Sequence, residues 1–263
     1  MTAAASIAAT LVLAVTPAAY VEAQQRDDGG FGDPQITAWA TLGLAASGTD
    51  VERLLDAADY LARHEGDATS ITDLALSTLA RSAAGQRPET AIARLRGQTP
   101  GKLLNATIWS ILALRQSGEG VPEPLVRSLR TAQHASGGWS WFRGGAPDTN
   151  DTAAAIQALR SVGASGRPID RAIAFLRRHQ NRDGGFELTS GRGSDAQSTA
   201  WAIQAFVAAG RPPGTAAFRY LAGLRRPDGS YRYSARYATT PLWVTSQVLP
   251  ALARKPFPLP ASG

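Results

Sequence analysis

Apolar residues recur at helical spacing in two kinds of segment that alternate along the chain. In the stretch 171–210, Ile173 and Leu176 lie on one face of a first segment, and Ala200 and Ile203 lie on one face of a second. A glycine pair and one aromatic residue separate the two segments, and glycine is favoured just past a helix end. The pattern therefore predicts a unit of helix, glycine turn and helix.

The second helix of this unit recurs six times. The copies read TAWATLGLAASG at 37–48, LALSTLARSAAG at 74–85, TIWSILALRQSG at 107–118, TAAAIQALRSVG at 152–163, TAWAIQAFVAAG at 199–210 and LWVTSQVLPALA at 242–253. The intervals of roughly 35–50 residues are typical of helical-pair repeats. The first helices also end alike, with Gln25, Gln133, Gln180 or Arg225 four residues before a glycine. We predict an all-α protein, an (α/α)6 toroid of six helix-hairpin repeats, with an open solenoid as the competing arrangement.

The two ends of the chain differ from the repeats. Residues 1–19 are apolar and end in small residues, which predicts a secretory signal cleaved near Ala18 and a secreted or extracytoplasmic protein. Residues 20–253 then form a single toroid. Residues 254–263 are Pro-rich, which predicts a disordered tail or a surface strap.

Charge and composition exclude several functions. The net charge of +6 comes from arginines near helix ends, without the interleaved aromatic residues of a nucleic-acid site. Weak contact with an anionic membrane surface stays open. The chain has 0 cysteines and 3 histidines, and the histidines lie at the ends of first helices, so we expect no metal site and no cofactor. We expect a monomer.

In a closed ring, residues just before each second helix crowd the mouth of a central cavity. We predict that the ligand-binding residues there are Asp33, Gln35, Asn150, Asp195 and Gln197, joined by Trp141 and Phe142, which follow the glycine turn of the fourth repeat. A polar rim over an apolar interior is typical of small-molecule pockets. Helix capping is the alternative role for the polar residues, and packing on a neighbouring repeat is the alternative for the two aromatic residues.

The glycine turns carry a family resemblance. Gln180 with Gly184-Gly185-Phe186, and Gln133 with Gly137-Gly138-Trp139, resemble the repeat of triterpene cyclases. The chain is similar to one toroid of the prenyltransferase and squalene-cyclase repeat superfamily, which also includes protein prenyltransferase β-subunits and cobalamin carriers. The resemblance implies a structural role for Gln133, Trp139, Gln180 and Phe186. It also implies a hydrophobic partner, isoprenoid or corrinoid-like.

A second motif bears on chemistry. Asp148-Thr149-Asn150-Asp151-Thr152-Ala153 resembles the Asp-x-Asp-Asp-Thr-Ala signature of class II terpene cyclases, whose middle acid protonates an alkene or epoxide. Asn150 occupies that middle position, and an amide cannot deliver the proton. Asp148 and Asp151 remain as candidate catalytic residues, since one of two close carboxyl groups can have a raised pKa.

Three functions follow, and the sequence leaves open whether the protein is an enzyme. The first is a binding toroid that holds an apolar or isoprenoid-like molecule in its central cavity. The second is a terpene cyclase-like isomerase with an altered acid. The third is a glycan-acting toroid enzyme that uses Asp148 and Asp151 as acid and base. The missing acid at position 150 and the presence of a single toroid favour binding.

Overall fold

The computed structural model describes residues 14–259 of the chain. Its α-helices are α1 (Pro17–Glu22), α2 (Pro34–Ser47), α3 (Val51–Arg63), α4 (Ile71–Ala83), α5 (Glu89–Arg96), α6 (Leu104–Gln116), α7 (Glu123–Thr131), α8 (Thr149–Ser161), α9 (Arg167–Arg178), α10 (Ala196–Ala208), α11 (Thr215–Leu224) and α12 (Pro241–Leu252). A 3-10 turn covers Glu65–Asp67, and the short antiparallel strands β1 (Phe186–Glu187) and β2 (Ser194–Asp195) flank one loop. The prediction of an all-α protein is confirmed.

The even-numbered helices form a closed inner ring. Each packs against the next, from α2 through α4, α6, α8 and α10 to α12, and α12 packs against α2. The odd-numbered helices lie outside, and each packs against one or two inner helices. Inner helices such as α6 are buried on nearly every face, whereas outer helices such as α9 bury a single stripe. The predicted toroid is therefore confirmed over the open solenoid.

Closure of the ring depends on close contact between the first and last inner helices. Gly43 of α2 faces Ser246 of α12, and a Cβ atom at Gly43 would lie 2.5 Å from the carbonyl oxygen of Ser246. That separation is far below van der Waals contact. Glycine at this position therefore lets the two backbones approach one another.

The glutamines of the glycine turns join successive repeats. The Nε2 of Gln133 donates to the carbonyl oxygens of Gly137 and Pro168, both at 2.8 Å. Gln25 makes the same pair of bonds in the first repeat. Each amide thus ties its own turn to the start of the next outer helix, because Pro168 lies in the first turn of α9.

The aromatic residue of each turn packs inside the repeat. Trp139 and Phe186 have 0% exposure, and the indole Nε1 of Trp139 donates to Leu129 O at 2.8 Å. Gln180 donates to Gly184 O at 3.0 Å. These contacts agree with the structural role that the resemblance implied.

A threonine hydroxyl marks the equivalent position in successive inner helices. It accepts a hydrogen bond from the backbone N–H of the turn's aromatic residue, at 2.9 Å in each of four pairs: Phe31–Thr37, Trp139–Thr152, Phe186–Thr199 and Tyr231–Thr245. The alignment that placed Leu242 at this position of the last repeat is therefore wrong by three residues. Thr245 occupies it, because it alone in α12 caps the backbone of the preceding turn.

The Pro-rich tail differs from the expectation of disorder or a surface strap. Phe257 is 2% exposed and Leu259 is 7% exposed. The backbone N–H of Phe257 donates to Oε1 of Gln157 at 2.7 Å. The centroid of the Phe257 side chain lies 6.4 Å from that of the Trp39 indole on α2. Helix α2 stands opposite α8, which carries Gln157, in the ring of inner helices. The described part of the tail, which ends at Leu259, therefore extends into the centre of the toroid, where Phe257 and Leu259 are buried.

The amino-terminal end also contacts the last repeat. The carbonyl oxygen of Val15 accepts a hydrogen bond from Arg225 at 2.7 Å, and Gly229 packs on the carbonyl of Thr16. The expected cleavage near Ala18 falls within α1, whereas residues 1–13 of the expected signal lie outside the described residues. Export stays a prediction. Between residues 14 and 259, no helix has the length and apolar character that a membrane crossing needs.

Candidate functional site

A cavity of about 360 Å³ opens on the toroid axis between the inner helices. Each inner helix has a reference position, which is the threonine described above or its equivalent (Leu74 in the second repeat). In all six inner helices, the residue two places before this position and the residue two places after it line the cavity. We call the first set the polar layer: Gln35, Thr72, Asn105, Asn150, Gln197 and Trp243. We call the second set the tryptophan layer: Trp39, Leu76, Trp109, Ala154, Trp201 and Gln247. The spacing of four residues places both on one face of each helix.

Three indole rings meet in the tryptophan layer. The ring centroid of Trp39 lies 5.3 Å from that of Trp109 and 5.7 Å from that of Trp201, with interplanar angles of 84° and 86°. Trp243 packs against the same Trp39 ring at 6.1 Å. Edge-to-face contacts of this kind favour a fixed arrangement. The cavity therefore has a rigid, electron-rich aromatic wall.

The sequence predicted an apolar interior, but these tryptophans were not identified as its lining. The signal was available, because Trp39, Trp109 and Trp201 each follow an aligned threonine by two positions. Trp243 and Gln247 could not be placed in this way, since the alignment of the last repeat was shifted by three residues.

Two carboxyl groups reach the cavity from the start of α8. Asp148 caps the helix, and its Oδ1 accepts from the backbone N–H of Asp151 at 2.8 Å. Oδ1 of Asp151 accepts from Nδ2 of Asn105 at 3.2 Å. Asp151 is 6% exposed. The local sequence explains the pair, since a cap residue and the residue three positions later meet at a helix start.

This pair holds a proton at neutral pH. Burial, the charge of Asp148 and a hydrogen bond shared with it together raise the pKa of Asp151 to about 8, against the lowering effect of the hydrogen bond from Asn105. Burial also raises the pKa of Asp148, against the lowering effect of its hydrogen bonds with Asp151. Two carboxyl groups in contact within a desolvated site titrate as a unit and retain one proton between them.

Asn150 lies between the two acids in sequence and lines the same cavity. Its side-chain Oδ1 is buried and has no hydrogen-bond partner among residues 14–259. The position that resembles the cyclase acid thus presents an amide to the cavity beside a protonated carboxyl pair.

The predicted ligand-binding residues separate into two groups. Gln35, Asn150, Gln197 and Trp141 line the cavity together with the two acids, and the indole of Trp141 is 51% exposed, at the mouth. The other three, Asp33, Asp195 and Phe142, do not line it.

Each member of the second group has another position. Asp33 caps α2 through Ile36 N and lines a separate pocket of about 230 Å³. Asp195 caps α10 and is 2% exposed. Phe142 is 51% exposed and pairs through its backbone with Leu103. Within the described part of the chain, no group of three or more His, Cys, Asp or Glu side chains could hold a metal ion.

Comparison with known proteins identifies the class first. The fold is that of α-α toroids, which terpene cyclases and protein prenyltransferases share. The model of the squalene-hopene cyclase C-terminal domain matches residues 107–262, and the chain belongs to this family. None of the curated proteins matches the chain.

Solved structures with the same fold have low sequence identity to the chain. Type II terpene cyclase MstE from Scytonema superposes with a TM-score of 0.72 at 16% identity, over 90% of this chain and 95% of that one. Protein geranylgeranyltransferase-I from Candida albicans, complexed with GGPP, gives 0.63 at 12% identity over 86% and 84%. A glycosidase gives 0.61 at 13% identity over 90% and 94%. At these identities the likeness concerns the fold.

Proposed function

We propose that the protein binds an apolar, isoprenoid-like small molecule in its central cavity. The observation that carries the proposal is the set of four tryptophans in the cavity wall: Trp39, Trp109 and Trp201 in the tryptophan layer, and Trp243 in the polar layer above it. Its volume of about 360 Å³ is in the range of small-molecule pockets. Aromatic side chains contribute a large apolar contact area and attract polarised alkenes and cations through their faces.

The fold gives this proposal further support. One MstE structure contains geranylgeranyl dihydroxybenzoate as substrate, and the Candida albicans transferase contains GGPP. Both ligands carry a geranylgeranyl chain. The same inner-helix ring encloses a cavity in this chain, with Trp141 at its mouth.

Filling the cavity is expected to weaken binding strongly. Ala154 is the smallest residue of the tryptophan layer, and Ala154→Trp adds a fourth indole to it, so a ligand loses its space. Titration of the protein with geranylgeraniol, followed by tryptophan fluorescence, should show saturable quenching for the wild type and at least about a tenfold weaker Kd for the variant. Val51→Trp is the matched control, because Val51 is 60% exposed on an outer helix. Equal binding by all three proteins, with unfolding curves that show them folded, would refute the cavity as the site.

One observation favours a second candidate, an acid-initiated cyclase. The Asp148–Asp151 pair carries a proton at neutral pH inside an aromatic cavity. Asp151 could transfer that proton to an alkene carbon, or to an epoxide oxygen so that a C–O bond of the epoxide breaks, and the tryptophans would stabilise the resulting carbocation.

A product assay distinguishes a cyclase from a binding protein. The protein is incubated with squalene and geranylgeranyl compounds, and the lipids are separated by gas chromatography with mass detection. A cyclase yields a cyclic isomer of unchanged mass, which Asp151→Asn abolishes. A binding protein returns the substrate unchanged, and Asn150→Asp then tests whether an acid at the resembling position is enough to start the reaction.

The glycan-acting alternative has less support. In glycan-hydrolysing enzymes, the two catalytic carboxyl groups stand about 5 Å or more apart, with room for a sugar ring or water between them. Asp148 and Asp151 instead share a hydrogen bond.

A further inference from the structure

The last inner helix exchanges the two layers. In the tryptophan layer, the other five inner helices contribute an apolar residue, whereas α12 contributes Gln247. In the polar layer, the other five contribute a polar residue, whereas α12 contributes Trp243. Gln247 is 2% exposed. A primary amide therefore sits within the tryptophan layer, at the depth where the cavity is otherwise apolar.

The orientation of this amide is fixed by chemistry. The indole Nε1 of Trp201, which can only donate, lies 3.0 Å from Oε1 of Gln247. The Nε2 of Gln197 donates to the same oxygen at 2.8 Å. If the amide were flipped, its NH₂ group would face the indole N–H, donor against donor. Oε1 must therefore point toward Trp201, and Nε2 must point the other way.

The Nε2 group of Gln247 is left without an acceptor. It donates no hydrogen bond to any residue in the range 14–259, while its side chain lines the cavity. This donor is open to the cavity, where water can pair with it until a ligand enters. A ligand that displaces the water without offering an acceptor leaves the donor unpaired, which costs free energy.

We propose that Gln247 donates a hydrogen bond to an oxygen on the ligand. The cavity then binds an oxygenated isoprenoid, such as an alcohol, ether, ketone or carboxylate, more tightly than a pure hydrocarbon. The inference rests on the proposed binding function and names the chemical class of its ligand. Oε1, held by Trp201 and Gln197, positions the donor, and Nε2 makes the contact.

Three probes of one carbon skeleton test the proposal. Geranylgeraniol both donates and accepts, its methyl ether only accepts, and the deoxygenated hydrocarbon does neither. The wild type is expected to bind the alcohol and the ether each roughly tenfold more tightly than the hydrocarbon, as one hydrogen bond to a buried donor provides. Binding is measured by tryptophan fluorescence at a single detergent concentration.

The variant Gln247→Met removes the donor and keeps the length of the side chain, and its thioether is a weak acceptor for the Trp201 indole. It should bind the hydrocarbon as the wild type does and bind the three probes within about twofold of one another. Gln204→Met is the matched control, since Gln204 is a buried glutamine of α10 outside the cavity lining, and it should keep the wild-type preference.

The outcomes separate the two proposals. If the wild type binds all three probes equally, or if Gln247→Met keeps the preference, the role of Gln247 is refuted while the binding function stands. If the wild type binds none of them, the proposed function fails and this inference fails with it. The comparison of probes on the wild type does not depend on the variant folding.

Discussion

Asp151→Asn is expected to stabilise the protein increasingly as the pH rises from about 4 to about 8. Burial raises the pKa of Asp151 from 3.8 to about 8 in the folded protein. The unfolded chain loses this proton near pH 4, but the folded protein keeps it until about pH 8. The stabilisation linked to the proton is therefore full below pH 4 and is lost as the pH rises through this window. The loss is at most about 1.4 kcal/mol per pH unit.

The asparagine variant has no proton to lose. Its amide can donate to Asp148 as the protonated carboxyl does, and its oxygen can accept from Asn105, so the contacts of the protonated state are kept. The free energy of unfolding, measured in urea at pH 4.5, 6 and 8, should therefore fall for the wild type relative to the variant. The difference should reach several kcal/mol at pH 8, reduced in so far as Asp148 shares the titration.

Asp33→Asn supplies the control. Asp33 also caps an inner helix but is exposed, outside the central cavity. Its curve should run parallel to that of the wild type. If Asp151→Asn also runs parallel, the carboxyl pair is ionised at neutral pH, and the cyclase candidate loses its acid.

The repeat made most of the fold predictable from the sequence. Helical spacing, Gly184-Gly185 and the glutamine before them are local signals, because one turn of chain satisfies them. Six recurrences then indicate a ring, and the family resemblance fixes its class. The acid pair was predictable for the same reason, since Asp148 and Asp151 meet within one helical turn.

The rest of the site depends on contacts between distant repeats. The aligned tryptophans were visible in the sequence. They form one wall only because the ring closes between α2 and α12. The exchange of Trp243 and Gln247 was hidden because Leu242, and not Thr245, matched the spacing of the other copies. A single hydrogen bond, from Tyr231 N to the Thr245 hydroxyl, sets the register there.

The tail was misjudged because a Pro-rich segment of ten residues usually stays in solvent. Its burial site exists only after six helices have closed around the axis. The last inner helix also ends seven residues after its threonine, whereas α2 continues for ten, so the chain turns inward earlier there.

Phe257→Ala is expected to destabilise the protein by about 3–5 kcal/mol, the usual cost of removing a buried phenylalanine. The ring lies 6.1–6.5 Å from the indoles of Trp39, Trp109 and Trp201, and these belong to three different inner helices. Its loss therefore leaves a void on the axis that no single helix can fill. The tryptophan emission of the folded variant should also shift to longer wavelength, because water reaches the indoles from the side that Phe257 covers.

Phe218→Ala is the comparison. Phe218 lies half-buried on the outer helix α11 beneath Arg254, so its removal opens a void at the surface that solvent can fill. Its cost should be about 1 kcal/mol, with unchanged emission. Equal small losses for both variants would mean that the tail leaves the axis at little cost, and that the toroid is open at both ends in solution. A large loss confined to Phe257 would make the tail the floor of the cavity. The ligand must then enter past Trp141 and the polar layer, and the oxygen that Gln247 contacts must lie near the end of the ligand that enters first.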